Sequence, residues 1–272
     1  MAVMRSEAHP PYKLLISLPM LIINKIRNIF KTFCVFFYHV YLTLRISVVY
    51  LFYSHFYESD KLRIKGNALL HWWSAGLLNS LNFKFEVETI FPVKFQSNRN
   101  YIFMSNHCSF YDIPLVILAA KDHTVRMITK QELFRIPIWG RALKASEFIP
   151  LNRQNRRLAL LQLKYAREKM SSGIKIWISP EGTRSKDGII APLKRGGFKL
   201  AHETDAIIVP IYLENTHKIF KNKCYQFNLK SKLLIGPHLD SREHSIDELK
   251  SKTFSFLTQY HSSKLDLKNK SI

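Results

Sequence analysis

Cysteine is scarce in this sequence, which has only Cys34, Cys108 and Cys224 among 272 residues. An odd number at wide spacing does not suit a disulfide framework, and none has the C-x-x-C partner typical of a structural zinc site. The sequence therefore argues against small disulfide-bonded and zinc-ribbon proteins, and it indicates a reducing compartment.

Acidic residues are also few: there are 20 Asp and Glu against 41 Lys and Arg, and the formal net charge is +21. An excess of this size indicates a polyanionic partner, which is nucleic acid, an anionic membrane surface or a phosphorylated substrate. The basic residues are scattered, and the sequence has no RNP, helix-turn-helix or zinc-finger pattern. A basic nucleic-acid-binding protein is therefore the weaker alternative.

The longest apolar run, residues 32–57, is long enough to span a bilayer, which takes about 20 residues. His39 and Arg45 lie inside the run, where charge is costly, and lysines flank both ends, so the positive-inside rule gives no direction. We expect a pair of helices that enters one leaflet and returns, with a buried core helix as the alternative. Residues 1–60 are assigned to this membrane-associated segment.

Beyond this segment, short apolar strands alternate with helical patterns, which predicts an α/β domain with a mixed central sheet flanked by helices. Residues 61–261 are assigned to the domain and residues 262–272 to a frayed tail. Its first helix, residues 67–82, has an aromatic face that suits either the membrane interface or the core. Pro210 interrupts one strand and predicts a sheet edge or a bulge. The predicted strands are residues 101–104, 125–129, 174–179, 206–213 and 232–236, and the later helices are residues 112–120, 155–170 and 245–260.

The first candidate site follows the strand at residues 101–104, where Asn106, His107 and Asp112 stand close together in the sequence. Five steps on a continuous helix place two side chains about 140° apart, so His107 and Asp112 meet only if His107 lies in a turn and Asp112 begins the helix. Such a carboxylate holds one ring nitrogen as N–H and leaves the other as a base for a substrate hydroxyl. The alternative is an ordinary structural hydrogen bond.

Two nucleophilic residues, Cys108 and Ser109, lie between them. No G-x-S-x-G turn surrounds Ser109, and Cys108 is a neighbour of His107 only in sequence. A covalent acyl-enzyme is therefore not expected.

The second candidate site is the loop of residues 179–185, which leaves the strand at residues 174–179 with Gly182, Thr183 and Arg184. Backbone N–H groups, a hydroxyl and a guanidinium suit a phosphate, although the same residues also fit an ordinary turn. Arg153 is a candidate second phosphate ligand, and further basic residues follow at Lys194 and Arg195.

In this order, the segments resemble the glycerolipid acyltransferase family that contains the 1-acylglycerol-3-phosphate acyltransferases. Four blocks carry the resemblance: an NHxSxxD block at Asn106, His107, Ser109 and Asp112, an FIP run at residues 148–150 followed by Arg153, a PEGTRS block at residues 180–185, and a V-P-I strand at residues 209–211. The run at residues 130–140 is also similar to the family. The chain departs from the family pattern at Ser179, where an aromatic is usual, and at Asn152, where an acidic residue is usual.

The resemblance implies an O-acyltransferase that moves a fatty acyl group from acyl-CoA or acyl carrier protein to the sn-2 hydroxyl of lysophosphatidic acid, giving phosphatidic acid. It implies His107 as the base and Asp112 as its orienting partner. Residues 61–261 would then form a single acyltransferase domain. The implied substrate-binding set is Asn106, Ser109, Arg153, Glu181, Gly182, Thr183, Arg184, Val209 and Pro210, in which Glu181 is expected to order the loop and Val209 and Pro210 to shape the acyl channel.

No metal or redox cofactor is implied, and the expected partners are membrane lipids, the lysophospholipid and the thioester donor. The expected location is the cytoplasmic face of the inner membrane. Three alternatives stay open: another acceptor such as glycerol-3-phosphate, lysophosphatidylglycerol or a lyso-aminolipid, a nucleic-acid-binding protein, and an inactive membrane scaffold.

Overall fold

Two long helices open the chain in the computed structural model, which describes residues 12–90, 95–152 and 154–269. Helix α1 spans Tyr12–Phe56 and helix α2 spans Ser59–Asn79. They run antiparallel and close together, because α2 presents glycines to α1. A Cβ on Gly66 would lie 2.5 Å from Tyr50, and one on Gly76 would lie 2.9 Å from Leu42.

The run at residues 32–57 is therefore one continuous helix and not the predicted pair. The chain turns only after Phe56, and α2 is the helix that returns. Arg45 does not break α1, because its guanidinium stacks on Trp72 of α2, 4.5 Å from a ring centroid. The predicted interfacial helix at residues 67–82 is the second half of α2, and its buried residues Trp73, Leu77 and Leu78 cover the core.

Within α1, residues Ile22–Phe56 are long and apolar enough to cross a membrane, with a mean hydropathy of 1.6. Only 28% of the most apolar window is buried in the chain, so α1 is not a core helix. Its exposed side includes Phe30, Phe33, Phe37, Tyr41, Phe52 and Phe56.

A mixed eight-stranded sheet forms the centre of the domain, as predicted. The strand order is β1-β9-β6-β2-β5-β3-β4, with β10 beside β6; neighbours are parallel except that β6 runs antiparallel to β9 and β10. A separate small hairpin joins β7 and β8. The strands are β1 Lys84–Thr89, β2 Tyr101–Ser105, β3 Val125–Lys130, β4 Ile149–Leu151, β5 Lys175–Ile178, β6 Ile207–Leu213, β7 Phe220–Lys221, β8 Cys224–Tyr225, β9 Lys230–Ile235 and β10 Leu239–Asp240.

Helices cover both faces of the sheet, because successive strand residues point to opposite sides. In β2, Tyr101 and Phe103 join the apolar cluster under α1 to α4, and Ile102 and Met104 join the cluster under α5 to α7. The remaining helices are α3 Asp112–Ala119, α4 Trp139–Ala145, α5 Arg156–Ser171, α6 Gly196–Glu203 and α7 Ile246–Asn269.

Pro210 does not mark a sheet edge, since β6 lies between β2 and β9 and is buried throughout. The strand next to β6 is interrupted at this point. β9 pairs with residues 211–213 of β6, and β10 pairs with residues 207–208 of β6. The Pro210 carbonyl accepts a bond from Gly236 in the gap, at 2.9 Å. A missing N–H is tolerated there because no strand partner faces it.

The last helix begins with a capping box, in which Ser245 N–H donates to Glu248 Oε2 at 2.8 Å and Glu248 N–H donates to Ser245 Oγ at 3.3 Å. Helix α7 continues to Asn269, beyond residue 262, where the sequence predicted a frayed tail.

Candidate active site

His107 and Asp112 meet at the carboxyl end of β2. His107 lies in the loop after the strand and Asp112 is the first residue of α3, which is the bend that the spacing predicted. The His107 Nδ1 donates to Asp112 Oδ2 at 2.8 Å. Because an ionised carboxylate only accepts hydrogen bonds, Nδ1 carries the proton and Nε2 is the basic nitrogen.

The Asp112 carboxylate is fully buried and is held through one oxygen. In addition to the His107 ring, the N–H groups of Cys108 and Ser109 donate to Oδ2, at 2.7 and 2.8 Å. Oδ1 has no partner among the described residues. Hydrogen bonds to this single oxygen, Asp112 Oδ2, therefore hold both the turn and the imidazole in place.

The loop of residues 179–185 grips His107 from the other side. Glu181 is 2% exposed, and its two oxygens accept from the N–H groups of His107 (2.7 Å) and Ala191 (2.8 Å). Ser185 N–H donates to the His107 carbonyl at 2.7 Å. Burial raises the pKa of Glu181, while these two N–H groups act in the opposite direction. Glu181 thus holds the loop against His107 and Ala191, and both of its oxygens are used within the protein.

Asn106 is a correction to the predicted substrate-binding set. Its amide is buried and pairs with the backbone of Leu213: Nδ2 donates to the carbonyl at 2.9 Å and Oδ1 accepts from the N–H at 2.7 Å. Its second N–H group points to Cys108 Sγ at 3.7 Å, so Asn106 ties the end of β2 to the end of β6 and both of its donors are used within the protein.

The two candidate nucleophiles are part of the turn. Burial, with the nearby Asp112 and Glu181 charges, raises the pKa of the Cys108 thiol to about 12, so the thiolate is disfavoured at neutral pH. The Ser109 hydroxyl accepts from Tyr111 N–H at 3.3 Å. Neither residue is activated by the geometry.

A cavity of about 1760 Å³ opens beside His107, between the sheet and helices α1 to α4. Its polar end is lined by His107, Gly182, Thr183, Arg184, Lys186 and Lys194. Its apolar end is lined by Phe36, Ile46, Trp73, Ile117, Leu143 and Phe148. A cavity with these two ends suits an amphiphile with an anionic head and a hydrocarbon chain.

Of the predicted binding residues, Ser109, Gly182, Thr183 and Arg184 line this cavity. Val209 and Pro210 do not, so their assignment to an acyl channel is a second correction: both are buried within β6 in the middle of the sheet. Arg153 lies outside the described residues.

Sequence reasoning missed two neighbours of the site. Trp177 on β5 stands edge-on to the His107 ring at 5.8 Å and donates to Ser105 Oγ at 3.1 Å. Lys194 packs on Gly182, where a Cβ would lie 2.9 Å from its Nζ, and Gly182 also has a positive φ of 75°. The sequence signal for Trp177 is its position in the strand that leads to the loop, and the signal for Lys194 is only its positive charge after that loop.

A buried Asp–His pair at a strand end, beside a cavity with a cationic rim and an apolar interior, defines the class of site. It suits a base that acts on a hydroxyl group of an amphiphile, without a protein nucleophile.

Comparison with known proteins supports the resemblance carried by the motifs. Residues 86–214 match the model of the acyltransferase family, and that resemblance is confirmed. A chloroplastic 1-acyl-sn-glycerol-3-phosphate acyltransferase of Brassica napus is 37% identical over 118 residues, which is 43% of this chain and 34% of that protein. The 1-acyl-sn-glycerol-3-phosphate acyltransferase beta of Homo sapiens is 26% identical over 161 residues, which is 59% of this chain and 57% of that protein.

The fold has a solved counterpart in the 1-acyl-sn-glycerophosphate (LPA) acyltransferase PlsC from Thermotoga maritima, at a TM-score of 0.73 and 24% identity. That likeness covers 88% of this chain and 96% of the other, and it confirms the predicted α/β fold. The sequence matches to the Brassica napus and Homo sapiens relatives, in contrast, span about a third and just over half of those proteins' lengths.

Proposed function

We propose that this protein transfers a fatty acyl group from a thioester, acyl-CoA or acyl carrier protein, to the free sn-2 hydroxyl of lysophosphatidic acid, giving phosphatidic acid. The observation that carries the proposal is the 2.8 Å His107–Asp112 pair at the wall of a cavity with a cationic rim and an apolar interior. The names of the relatives support the same acceptor.

In the proposed reaction, His107 Nε2 takes the proton of the acceptor hydroxyl while that oxygen attacks the thioester carbonyl carbon. A C–O bond forms, the resulting tetrahedral oxyanion collapses and the C–S bond breaks. The thiolate leaves with the proton that the imidazolium returns. Asp112 stabilises the imidazolium through Nδ1 and keeps the ring oriented throughout.

The acceptor phosphate is assigned to the polar end of the cavity. Thr183 and Arg184 offer a hydroxyl and a guanidinium there, and Lys194 adds a further cation on Gly182. Arg153 stays in the proposed set as a second phosphate ligand from its position after the FIP run. The apolar end suits the acyl chain.

The membrane is proposed as the source of the acceptor, and the cytoplasmic face of the inner membrane as the site of action. Phe33 and Phe36 are 60% and 51% exposed on α1 and also line the cavity. The apolar surface that suits a bilayer is thus continuous with the cavity wall. No metal or redox cofactor takes part in the proposed reaction.

The test is a panel of acceptors and donors with detergent-solubilised protein. Lysophosphatidic acid, glycerol-3-phosphate, lysophosphatidylglycerol and a lyso-aminolipid are each offered with acyl-CoA and with acyl carrier protein. We expect esterification of lysophosphatidic acid above the others. Absence of turnover with every acceptor would contradict the enzyme proposal. A preference for another acceptor would identify that acceptor, and not lysophosphatidic acid, as the substrate.

A variant pair tests the base. We expect His107→Ala to lower kcat by about 100-fold or more while leaving the circular dichroism spectrum unchanged. The matched control is His202→Ala, which removes an exposed histidine on α6, and it should keep wild-type turnover. Full activity of His107→Ala excludes His107 as the base.

A further inference from the structure

His39 is a polar residue in the apolar helix α1, yet it is buried, at 8% exposure. Its ring packs edge-on against Tyr111 at 5.8 Å and Tyr225 at 5.6 Å. Both ring nitrogens have partners: Nε2 lies 2.7 Å from Ser80 Oγ, and Nδ1 lies 3.0 Å from Tyr111 Oη. His39 therefore faces the acyltransferase domain and not the bilayer.

The directions of these hydrogen bonds follow from Ser80, the group at the end of the series. Ser80 Oγ donates its proton to the Leu77 carbonyl at 2.7 Å, so it can only accept from His39 Nε2–H. His39 Nδ1 is then left as an acceptor for the Tyr111 hydroxyl. Burial raises the pKa of Tyr111, so the phenol stays protonated, and Tyr225 is a second hydrogen-bond partner of the same hydroxyl. A neutral His39 thus links the end of α2 to the start of α3.

Tyr111 connects this chain of hydrogen bonds to the site. It directly precedes Asp112, and its side chain is 2% exposed. Helix α3 is only eight residues long, and the orientation of its first turn sets where Asp112 Oδ2 stands. Since that one oxygen receives His107 Nδ1 and two backbone N–H groups, a small rotation at Tyr111 disturbs the whole turn.

We propose that His39 is a positioning residue for the His107–Asp112 pair, acting through the Tyr111 hydroxyl, so that helix α1 is a working part of the active site as well as a membrane anchor. This inference rests on the proposed acyl transfer, because it assigns His39 a role in that reaction. His39 itself does not touch the substrate.

The competing explanation is that His39 only helps α1 to pack on the domain. Leu42 provides the matched control, since it lies three residues further along α1, is 1% exposed and packs on Gly76 of α2. Its apolar side chain makes no hydrogen bond. Leu42→Ala therefore weakens the docking of α1 without touching the Tyr111 hydrogen bond.

The kinetic test compares His39→Leu, His39→Asn, Tyr111→Phe, the double variant His39→Leu/Tyr111→Phe and Leu42→Ala. We expect His39→Leu and Tyr111→Phe each to lower kcat by about 10-fold with little change in the KM for lysophosphatidic acid, because misplacement of a catalytic pair by less than 1 Å has effects of this order. The double variant should be no worse than either single variant. His39→Asn, whose amide oxygen can accept from Tyr111, should recover part of the rate.

Leu42→Ala should lower the Tm and keep the wild-type kcat. The inference is overturned if His39→Leu keeps its kcat, if Leu42→Ala loses as much, or if the two single effects add in the double variant. Where wild type is active and His107→Ala is not, such a result removes the role of His39 and leaves the proposed function standing.

Hydrogen–deuterium exchange tests the same inference without turnover. The amides of Cys108 and Ser109 are protected by Asp112 Oδ2, so loss of the Tyr111 anchor should make a peptide covering residues 107–112 exchange faster in His39→Leu. Leu42→Ala should leave that peptide protected. Equal protection in His39→Leu and wild type overturns the inference, even if no acceptor is ever turned over.

Discussion

At the scale of single residues, the site depends on how few atoms hold the His107 imidazole in place. Asp112 Oδ2 receives a ring N–H and two backbone N–H groups, whereas Glu181 divides its two oxygens between the His107 loop and Ala191. The first carboxylate sets the tautomer of the histidine, and the second sets the position of its backbone. We therefore expect the two to differ when they are replaced by amides.

Asp112→Asn should lower kcat by about 100-fold or more, because an amide cannot stabilise the imidazolium as a carboxylate does. The measurement is the initial rate with saturating lysophosphatidic acid, and Asp122→Asn, an exposed change near the end of α3, is the control. Retention of the wild-type rate by Asp112→Asn would show that His107 needs no charged partner.

Cys108→Ala should keep most of the activity. The thiol follows His107 directly in the sequence, but burial raises its pKa to about 12, so it is not a nucleophile at neutral pH. The measurement is the rate of acyl transfer by the variant, together with mass spectrometry of the wild-type protein after quenching with donor alone. An acyl adduct on Cys108, or inactivity of the variant, would revive the covalent mechanism.

At the scale of elements, alternation and spacing were sufficient to predict β2, β3, β5, β6 and β9, the helix that begins at Asp112 and the bend between His107 and Asp112. The short strand β4 and helix α4 were missed, because three and seven residues carry too little periodicity. The continuity of α1 was also missed, since it depends on tertiary partners: Trp72 for Arg45 and Tyr111 for His39.

The motifs predicted which residues gather at the site but not which way each side chain points. Asn106, Glu181, Val209 and Pro210 belong to the blocks, yet they serve the backbone or the sheet. That distinction depends on where β6 pairs with β2 and on where the loop after β5 folds back. The local spacing of residues in the sequence determines neither of these.

Helix α2 is joined to the β4 and α5 region by an ion cluster around Glu147. Arg63 contacts both Glu147 oxygens, at 2.7 and 2.8 Å, and Lys169 contacts one of them at 2.9 Å. Burial alone would raise the pKa of Glu147, but the hydrogen bonds and charges of Arg63 and Lys169 outweigh it and lower the pKa from 4.5 to about 2. Since the folded pKa is the lower one, the stabilisation is present above pH 4.5 and is lost as pH falls towards 2.

We expect Glu147→Gln to lower the Tm at neutral pH, and the difference from wild type to shrink as pH falls from about 5 towards 2. The measurement is thermal unfolding followed by circular dichroism across this range. Glu132→Gln, which changes an exposed glutamate, should show no such convergence. A Tm difference that is independent of pH would mean that Glu147 does not act through its charge.

At the scale of the whole molecule, helix α1, which is long and apolar enough to cross a membrane, and the cavity are on the same side of the sheet. Helices α1 to α4 cover the face that holds the cavity, and α5 to α7 cover the other. The exposed aromatic side chains of α1 therefore border the cavity wall, and the net charge of +21 favours an anionic surface. An amphiphile held in such a surface has a short path to His107.

Binding of the full chain to vesicles tests this orientation. Each basic residue near an anionic surface contributes about 1 kcal/mol, so Lys25→Gln/Arg27→Gln on α1 should lose roughly 2 kcal/mol, or about 30-fold in affinity, for vesicles with anionic lipid. Neutral vesicles should hardly distinguish this double variant from wild type, and added salt should reduce the difference. The control Lys250→Gln/Lys252→Gln removes the same charge from α7, and it should bind like wild type because α7 covers the other face of the sheet. Equal losses in the two double variants would mean that net charge, and not the α1 face, sets the orientation of the protein on the membrane.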